Sequence, residues 1–178
     1  MEDIAAAAGV GKGTIYRYFK DKEELYVALL AKAAEEMDHR LGAEVERATG
    51  ARVKLEAIVE TFITYFDEQP HLFDLIHHGE AMHRSDDDFP WMRTRRESIL
   101  LVKRVFDEAA TGSEFTVRDP DLAVLMLLGG VRAVIRFGKR PRPCDLARRI
   151  VEDFLQGAAE GFELKAKGRR PNRILSPV

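Results

Sequence analysis

A short segment near the N-terminus combines side chains that bind phosphates with side chains that hydrogen-bond to nucleotides. From residue 11 to residue 22 it reads GKGTIYRYFKDK, with Asp21 as its single acidic residue. Lysine and arginine release condensed counterions when they meet phosphates, while threonine and tyrosine hydroxyls fix the register on a nucleic-acid backbone. Lysine, threonine and aromatic side chains also reach base edges and thymine methyl groups. We therefore predict a DNA-binding surface made of Lys12, Gly13, Thr14, Tyr16, Arg17, Tyr18, Lys20 and Lys22.

Two short helices must position these side chains. A helix-turn-helix unit crosses its helices at a steep angle, so the crossing point requires a small residue and the turn often requires glycine. Ala5 and Gly9 meet these requirements, and Gly9 lies where the chain needs a positive φ. An ordinary helical hairpin with small residues at its contact is the alternative. We expect the two helices to close on a small core made of Ile4, Ala8, Val10, Ile15 and Tyr18.

The stretch IAAAAGVGKGTIYRYFKDKEEL, from Ile4 to Leu25, resembles the DNA-binding signature of the tetracycline-repressor (TetR) family. The resemblance implies that residues 13–19 belong to the recognition helix. It places Lys12, Thr14, Tyr16 and Tyr18 on DNA and Lys22, at the start of a connector helix, on a phosphate. Past Leu25 the resemblance is one of architecture alone.

The resemblance also implies a function for the whole chain. It indicates a ligand-responsive transcriptional repressor, with a variable helical ligand-binding domain whose last two helices build a homodimer. Two recognition helices about 34–36 Å apart read a palindromic operator on one face of DNA. A small-molecule effector would tilt the connector helix and favour a spacing that does not suit the operator.

One departure concerns the beginning of the chain. Members of the family have a further helix before the one that begins here, and that helix covers the apolar side of the other two. The chain starts at Met1, directly before Glu2 and Asp3. Because the DNA-contact residues look intact, we expect an upstream segment to have been lost or a start site to be misplaced. A true start at Met1 would leave the opening segment mobile.

The composition restricts the remaining possibilities. Of 178 residues 46% are hydrophobic and 33% charged, with a formal net charge of -2, so contact with a polyanion must be local. The single cysteine, Cys144, excludes an intramolecular disulfide, and no secretion signal or membrane span is evident. These features fit a cytoplasmic protein that does not contact a membrane. No cofactor is expected.

Apolar residues recur at three- and four-residue spacing from Asp3 to Phe162, which predicts an all-α protein. Asp21 is predicted to cap the connector helix, with Glu24 at the capping-box position. Gly50, Pro70, Pro90, Gly112 and the pair Asp119–Pro120 mark further helix boundaries. We predict a DNA-binding unit with its connector over residues 1–43, a ligand-binding and dimerisation domain over 44–164 and a flexible basic tail over 165–178.

The stretch LAVLMLLGGVRAVIRF, residues 122–137, carries more apolar surface than one helix face buries inside a small domain. Small residues here and on the last helix permit close approach, so two helices from each subunit are expected to form an isologous four-helix interface. The alternative is a helix buried at the centre of its own domain. The predicted dimer interface consists of Leu125, Leu128, Gly129, Arg132, Phe154, Ala158, Gly161 and Phe162.

Aromatic side chains are concentrated between residues 62 and 106. At helical spacing such residues form either plain core or the walls of a small-molecule cavity, and the TetR resemblance keeps both interpretations open. Tyrosine, histidine, arginine and serine among them are candidates for orienting a ligand. The predicted pocket consists of Phe62, Tyr65, Phe66, Phe73, His77, Trp91, Arg95, Ser98 and Val102.

Other patterns carry weaker interpretations. His77, Glu80 and His83 share a three-residue spacing that could bring metal ligands to one helix face, but solvated or capping histidines are the simpler explanation and no metal site is predicted. No nucleophile–base pair, phosphate loop or paired-carboxylate motif indicates an enzyme. The alternative function is a helical homodimer that binds a small molecule or metal and carries a vestigial DNA-binding unit.

Overall fold

The computed structural model describes residues 1–82 and 89–158. The regular elements within these ranges are α-helices, which confirms the all-α prediction. They are α1 (Glu2–Ala7), α2 (Lys12–Tyr18), α3 (Lys22–Arg47), α4 (Ala51–Glu68), α5 (Pro70–Met82), α6 (Pro90–Thr111), α7 (Pro120–Phe137) and α8 (Leu146–Ala158). None of these helices is long and apolar enough to cross a bilayer. The basic tail predicted over 165–178 lies outside the described residues.

Aspartate side chains cap the N-termini of α3 and α7, as the sequence predicted. The Asp21 carboxylate accepts a hydrogen bond from the Glu24 amide at 2.9 Å and so starts α3. The Glu24 carboxylate returns to the Lys20 amide at 2.6 Å, one residue earlier than a standard capping box requires. Asp119 accepts from the Leu122 amide at 3.1 Å, with Pro120 at the first helical position of α7. These local signals fix where the long helices begin.

The core surrounds α4, which packs against α3, α6, α7 and α8. Leu55, Ile58 and Val59 of α4 are almost completely buried, as are Leu30 and Met37 of α3. Because α3 also packs against α6, the connector helix is part of the same hydrophobic core as the helices behind it. A displacement of the core helices is therefore transmitted to α3 through this packing.

A distant carboxylate caps α4, a contact that no local pattern in the sequence indicated. Gly50 has a φ of +89°, a conformation that favours glycine, and it breaks the chain between α3 and α4 as predicted. The Glu114 carboxylate, in the loop before α7, accepts hydrogen bonds from the Ala51 amide at 2.9 and 3.0 Å. It thereby satisfies a backbone donor that the first turn of any helix leaves without a partner.

The small core expected between α1 and α2 is only partly present. Ala5 and Ile15 are buried, as anticipated for a crossing point and its partner. Ala8, Val10 and Tyr18 are exposed, so the prediction that they enter this core was wrong. The Tyr18 ring lies against the Arg17 guanidinium at 5.0 Å instead, and its hydroxyl accepts from Arg17 at 3.3 Å. The local cation–π contact thus holds the ring at the surface.

Candidate DNA-binding surface and apolar cavity

The outer face of α2 presents the cationic and phenolic side chains that the sequence singled out. Gly9 has a φ of +67° and turns the chain from α1 towards α2. Ile15 is the buried residue of α2 and anchors it. Tyr16 and Tyr18 are 47% and 65% exposed. The remaining predicted DNA-binding residues are exposed as well: Lys12, Gly13, Thr14, Arg17, Lys20 and Lys22.

Contacts within this surface organise its charges. The Lys12 ammonium pairs with Glu2 and lies 5.9 Å from the centroid of the Tyr16 ring. Both members of the ion pair are more than half exposed, so the pair contributes little to stability and can exchange for a phosphate. The surface therefore combines accessible cations with rings and hydroxyls that are able to meet a DNA backbone and its base edges.

The connector helix α3 joins this surface to the rest of the core. It begins at Lys22 and runs for 26 residues to Arg47, which corresponds to about 39 Å at the usual helical rise. Leu30, Ala33, Ala34, Met37 and Leu41 form its buried face. Two side-chain hydrogen bonds join α3 to α5 and to α6. Residues of both helices also line an apolar cavity.

The first contact joins α3 to α5. The Tyr26 hydroxyl donates to the Leu75 carbonyl at 2.6 Å, and burial raises the pKa of this phenol. Gly79 lies directly beside it: a Cβ at that position would collide with the Tyr26 hydroxyl and approach Phe89 to 2.8 Å. Glycine is therefore required here because the tyrosine and the phenylalanine occupy the space of a side chain.

The second contact joins α3 to α6. The Thr94 hydroxyl, which is buried, donates to the Asp38 carboxylate at 3.3 Å. Burial raises the pKa of Asp38, and the hydrogen bond from Thr94 together with the charge of Arg93 partly opposes that rise. Since Thr94 also lines the cavity, a molecule in the cavity lies one side chain away from the connector helix.

A cavity of about 150 Å³ lies between α4, α5, α6 and α7. Aromatic and aliphatic side chains make most of its wall, and the polar groups are hydroxyls and arginines. Its lining consists of Phe62, Phe66, Phe73, Ile76, Trp91, Thr94, Arg95, Ser98, Ile99, Leu125, Leu128, Gly129, Val131, Arg132 and Ile135. Edge-to-face contacts of Phe66 with Phe73 and Trp91 fix the aromatic side of the wall.

Some of the predicted pocket residues line this cavity, and the others lie in the core or at the surface. Phe62, Phe66, Phe73, Trp91, Arg95 and Ser98 line the cavity. Tyr65 and Val102 do not, because both are buried in the core and the Tyr65 hydroxyl donates to Ala33 at 3.0 Å. His77 is exposed, does not line the cavity, and contacts the Arg132 guanidinium through Nδ1 at 2.6 Å. Thr94, Ile99 and several residues of α7 line it although the sequence analysis did not assign them to a pocket.

Several predicted interface residues of α7 lie at the cavity. Leu125, Leu128, Gly129 and Arg132 all contribute to its lining. Phe154 of α8 is half-buried and stacks on Phe106 at 6.2 Å, within its own domain. Gly161 and Phe162 lie outside the described residues, as does the side chain of Ala158.

The exposed side of α7 remains strongly apolar. We call it the α7 stripe, and it consists of Leu122, Leu125, Met126, Gly129, Gly130, Ala133 and Phe137. Phe137 is 82% exposed and Met126 58%. A row of this kind along one helix face is unusual for a surface that stays in water.

The metal interpretation of the histidine-rich segment receives no geometric support within the described residues. No group of three or more histidine, cysteine, aspartate or glutamate side chains in residues 1–82 and 89–158 is arranged to hold a metal ion. Of the three candidate ligands only His77 can be described. His83 and the side chain of Glu80 lie outside the described part of the chain.

The helix pair α1 and α2 is joined by the long helix α3 to the helical core behind it. Residues 1–29 match the family described as bacterial regulatory proteins, tetR family. The matched segment contains α1, α2 and the beginning of α3, the elements that carry the exposed cationic surface. Over these residues the chain carries the N-terminal sequence pattern of the tetR family.

Two curated relatives are similar to this chain over different lengths. The transcriptional activator FasR of Mycolicibacterium smegmatis is 32% identical over 76 residues, which covers 43% of this chain and 35% of that protein. The first relatives are thus matched over about a third of their own length. The transcriptional repressor KstR2 of the same organism is 26% identical over 160 residues, covering 87% of this chain and 76% of that protein.

Solved structures share the fold over most of the chain. The regulator PfmR of Thermus thermophilus superposes with a TM-score of 0.73 and 19% identity, covering 87% of this chain and 86% of that one. A tetR-family protein from Rhodococcus RHA1 gives a TM-score of 0.72 at 23% identity, covering 88% and 84%. At such identities the likeness establishes the fold and nothing finer.

Proposed function

We propose that the protein is a ligand-responsive transcriptional repressor that acts in the cytoplasm and binds a palindromic operator as a homodimer. The observation that carries the proposal is the exposed cationic and phenolic face of α2, within the segment that matches the family. A surface of this kind binds DNA phosphates by counterion release and positions a helix against base edges. KstR2, matched over 87% of this chain, is named a repressor, which favours repression over activation.

The ligand response is supported by the path from the cavity to α3. Thr94 lines the cavity and donates to Asp38 of the connector helix at 3.3 Å. Tyr26 of the same helix donates to Leu75 of α5, whose neighbour Ile76 lines the cavity. A ligand that fits only one arrangement of α5 and α6 shifts the population of α3 orientations by its differential affinity. The spacing of the two recognition helices then changes.

The DNA-binding part of the proposal is tested on the full chain by selecting bound duplexes from a random pool and titrating the selected duplex by fluorescence anisotropy. The chain offers a matched pair of arginines, one on α2 and one at the C-terminal end of α3. Arg17 is exposed on α2, whereas Arg47 is exposed in the last turn of α3 and pairs with Glu44.

We expect Arg17→Ala to weaken binding about tenfold, because one phosphate contact disappears. The slope of log affinity against log salt concentration should become shallower by about one for the same reason. Arg47→Ala removes the same charge far from α2 and should leave the affinity unchanged. Equal losses in the two variants, or no selected duplex at all from a folded protein, would contradict the proposal. The second result would favour a ligand-binding module with a vestigial DNA-binding unit.

A further inference from the structure

Lys12 differs from the other cations of the predicted DNA-binding surface because it is paired with a carboxylate. Its ammonium contacts the carboxylate of Glu2, so the pair spans the turn between α1 and α2. Within the part of the chain that the structure describes, no ion pair involves the other cations of this surface, which are Arg17, Lys20 and Lys22. A negative charge therefore lies beside one particular cation, the one that begins α2.

The Glu2 carboxylate is as accessible as the cation that it pairs with. The side chain of Glu2 is 69% exposed and that of Lys12 is 55% exposed. The ammonium also lies 5.9 Å from the centroid of the Tyr16 ring, so it is placed between a carboxylate and a ring. Asp3, the next residue of α1, is exposed as well but does not pair with Lys12. Any group on DNA that approaches Lys12 therefore also approaches Glu2.

The Glu2 charge acts differently on the two kinds of acceptor that DNA offers. A phosphate oxygen is anionic, so a phosphate that approached Lys12 would be repelled by Glu2 or would have to displace it. The guanine atoms N7 and O6 are uncharged acceptors on the edge of a base, and lysine is one of the side chains that bind them. An ammonium group has three donors, so Lys12 can keep its bond to Glu2 and still donate to a guanine edge.

We infer that Glu2 is a specificity-determining residue, which disfavours contact of Lys12 with phosphates and directs this cation to the edge of a guanine. Nonspecific affinity for DNA comes almost entirely from phosphate contacts, so a cation that avoids phosphates adds little to it. A base contact adds affinity only at the correct sequence. A protein gains specificity when an unfavourable contact is added against the wrong partner. The inference rests on the proposed function in taking α2 as the element that binds DNA.

The test compares the selected duplex with a duplex of scrambled sequence, each titrated with the full chain by fluorescence anisotropy in about 50 mM salt. We expect Glu2→Gln to bind the scrambled duplex about fivefold more tightly, because Lys12 then meets phosphates without a neighbouring negative charge. Its slope of log affinity against log salt concentration should become steeper by about one. The affinity for the selected duplex should change by less than about twofold, since the base contact of Lys12 is retained.

Two further variants assign the effect to the pair. Asp3→Asn is the matched control, because it removes an equal charge one residue away and leaves the contact between Glu2 and Lys12 in place. It should change the two affinities by the same factor, so their ratio stays constant. Lys12→Gln should weaken binding of the selected duplex and leave the scrambled duplex almost unchanged. In the Lys12→Gln background, Glu2→Gln should no longer alter the ratio of the two affinities.

The same ratio of affinities in Glu2→Gln and Asp3→Asn would overturn the inference. So would equal losses on both duplexes in Lys12→Gln, which would show that Lys12 binds a phosphate. A large loss on the selected duplex in Glu2→Gln would also overturn it, because Glu2 would then contact a base itself. A folded chain that selects no duplex contradicts the proposed function and this inference together. Sequence-selective binding whose ratio does not change in Glu2→Gln contradicts this inference alone.

Discussion

At the scale of single residues, Tyr65 shows how a buried polar group stabilises the fold. It is the largest completely buried side chain of the described residues, and its hydroxyl donates to the Ala33 carbonyl of α3 at 3.0 Å. The Arg40 guanidinium covers the ring at 5.0 Å. Burial and the neighbouring Glu36 raise the pKa of Tyr65 to about 12, with Arg40 opposing the rise. The native state therefore holds this phenol in its neutral form.

The raised pKa predicts a specific alkaline instability. In the unfolded chain a tyrosine ionises near pH 10, while Tyr65 in the folded protein stays protonated to about pH 12. The stabilisation from the neutral phenol is complete below pH 10 and is lost as the pH rises towards 12. Tyr65 should lower the free energy of unfolding by about 1.4 kcal/mol per pH unit within that window, as measured by urea unfolding at several pH values.

Tyr65→Phe removes this contribution and also the hydrogen bond to Ala33. We expect it to lower the free energy of unfolding by about 1 kcal/mol at pH 7 and to flatten the decline above pH 10. Tyr18→Phe is the matched control, because the Tyr18 ring is exposed and should leave both quantities unchanged. An equally steep alkaline decline in Tyr65→Phe would show that the buried phenol is not its source.

At the scale of elements, the contact between α3 and α5 tests whether close packing fixes the connector helix. Gly79 lies in α5, where alanine would normally be favoured over glycine by about 1 kcal/mol. A Cβ there would collide with the Tyr26 hydroxyl and lie 2.8 Å from Phe89. We predict that Gly79→Ala lowers the free energy of unfolding by about 1–2 kcal/mol, measured by urea unfolding, because overpacking outweighs the gain in propensity.

Gly42→Ala supplies the control for that prediction. Gly42 lies within α3, and a Cβ at this position would meet nothing within 4 Å, so alanine should stabilise the protein by about 0.5–1 kcal/mol. Tyr26→Phe should cost less in the Gly79→Ala background than alone, since the new methyl group already disturbs the bond to Leu75. Stabilisation by Gly79→Ala would show that α3 and α5 are packed more loosely than described.

The elements also show which features local sequence encodes. Asp21 and Gly9 act on their immediate neighbours, so a cap and a positive φ were predictable from residue type alone. Glu114 caps a helix whose first residue lies 63 positions earlier, and no local pattern records that contact. In the sequence, Val102 lies among the aliphatic and aromatic residues typical of a cavity wall. The rotation of α6 about its own axis instead places the Val102 side chain in the core, away from the cavity. Rotation depends on all packed helices together.

At the scale of the whole molecule, α7 serves two surfaces at once. Leu128, Val131 and Ile135 face the cavity, while Met126, Phe137 and the rest of the α7 stripe face outwards. Leu125 and Gly129 belong to both, because they are exposed and also line the cavity. A partner that covered the stripe would therefore contact residues that line the cavity. Ligand binding and assembly would then be linked in the proposed dimer.

The proposed dimer predicts that a charge placed on the α7 stripe prevents assembly. Met126 is 58% exposed, so Met126→Arg is accommodated in the monomer, whereas in an isologous interface built on the α7 stripe it buries an uncompensated cation from each subunit. Sedimentation velocity should show a dimer for the unchanged chain and a monomer for this variant. Leu100→Arg is the control, since Leu100 is 42% exposed on α6 and does not line the cavity. It introduces the same residue on a different helix and should leave the dimer intact.

A persistent dimer in Met126→Arg, or dissociation in Leu100→Arg alone, would place the contact between subunits elsewhere. The α7 stripe would then need another partner to account for its apolar character.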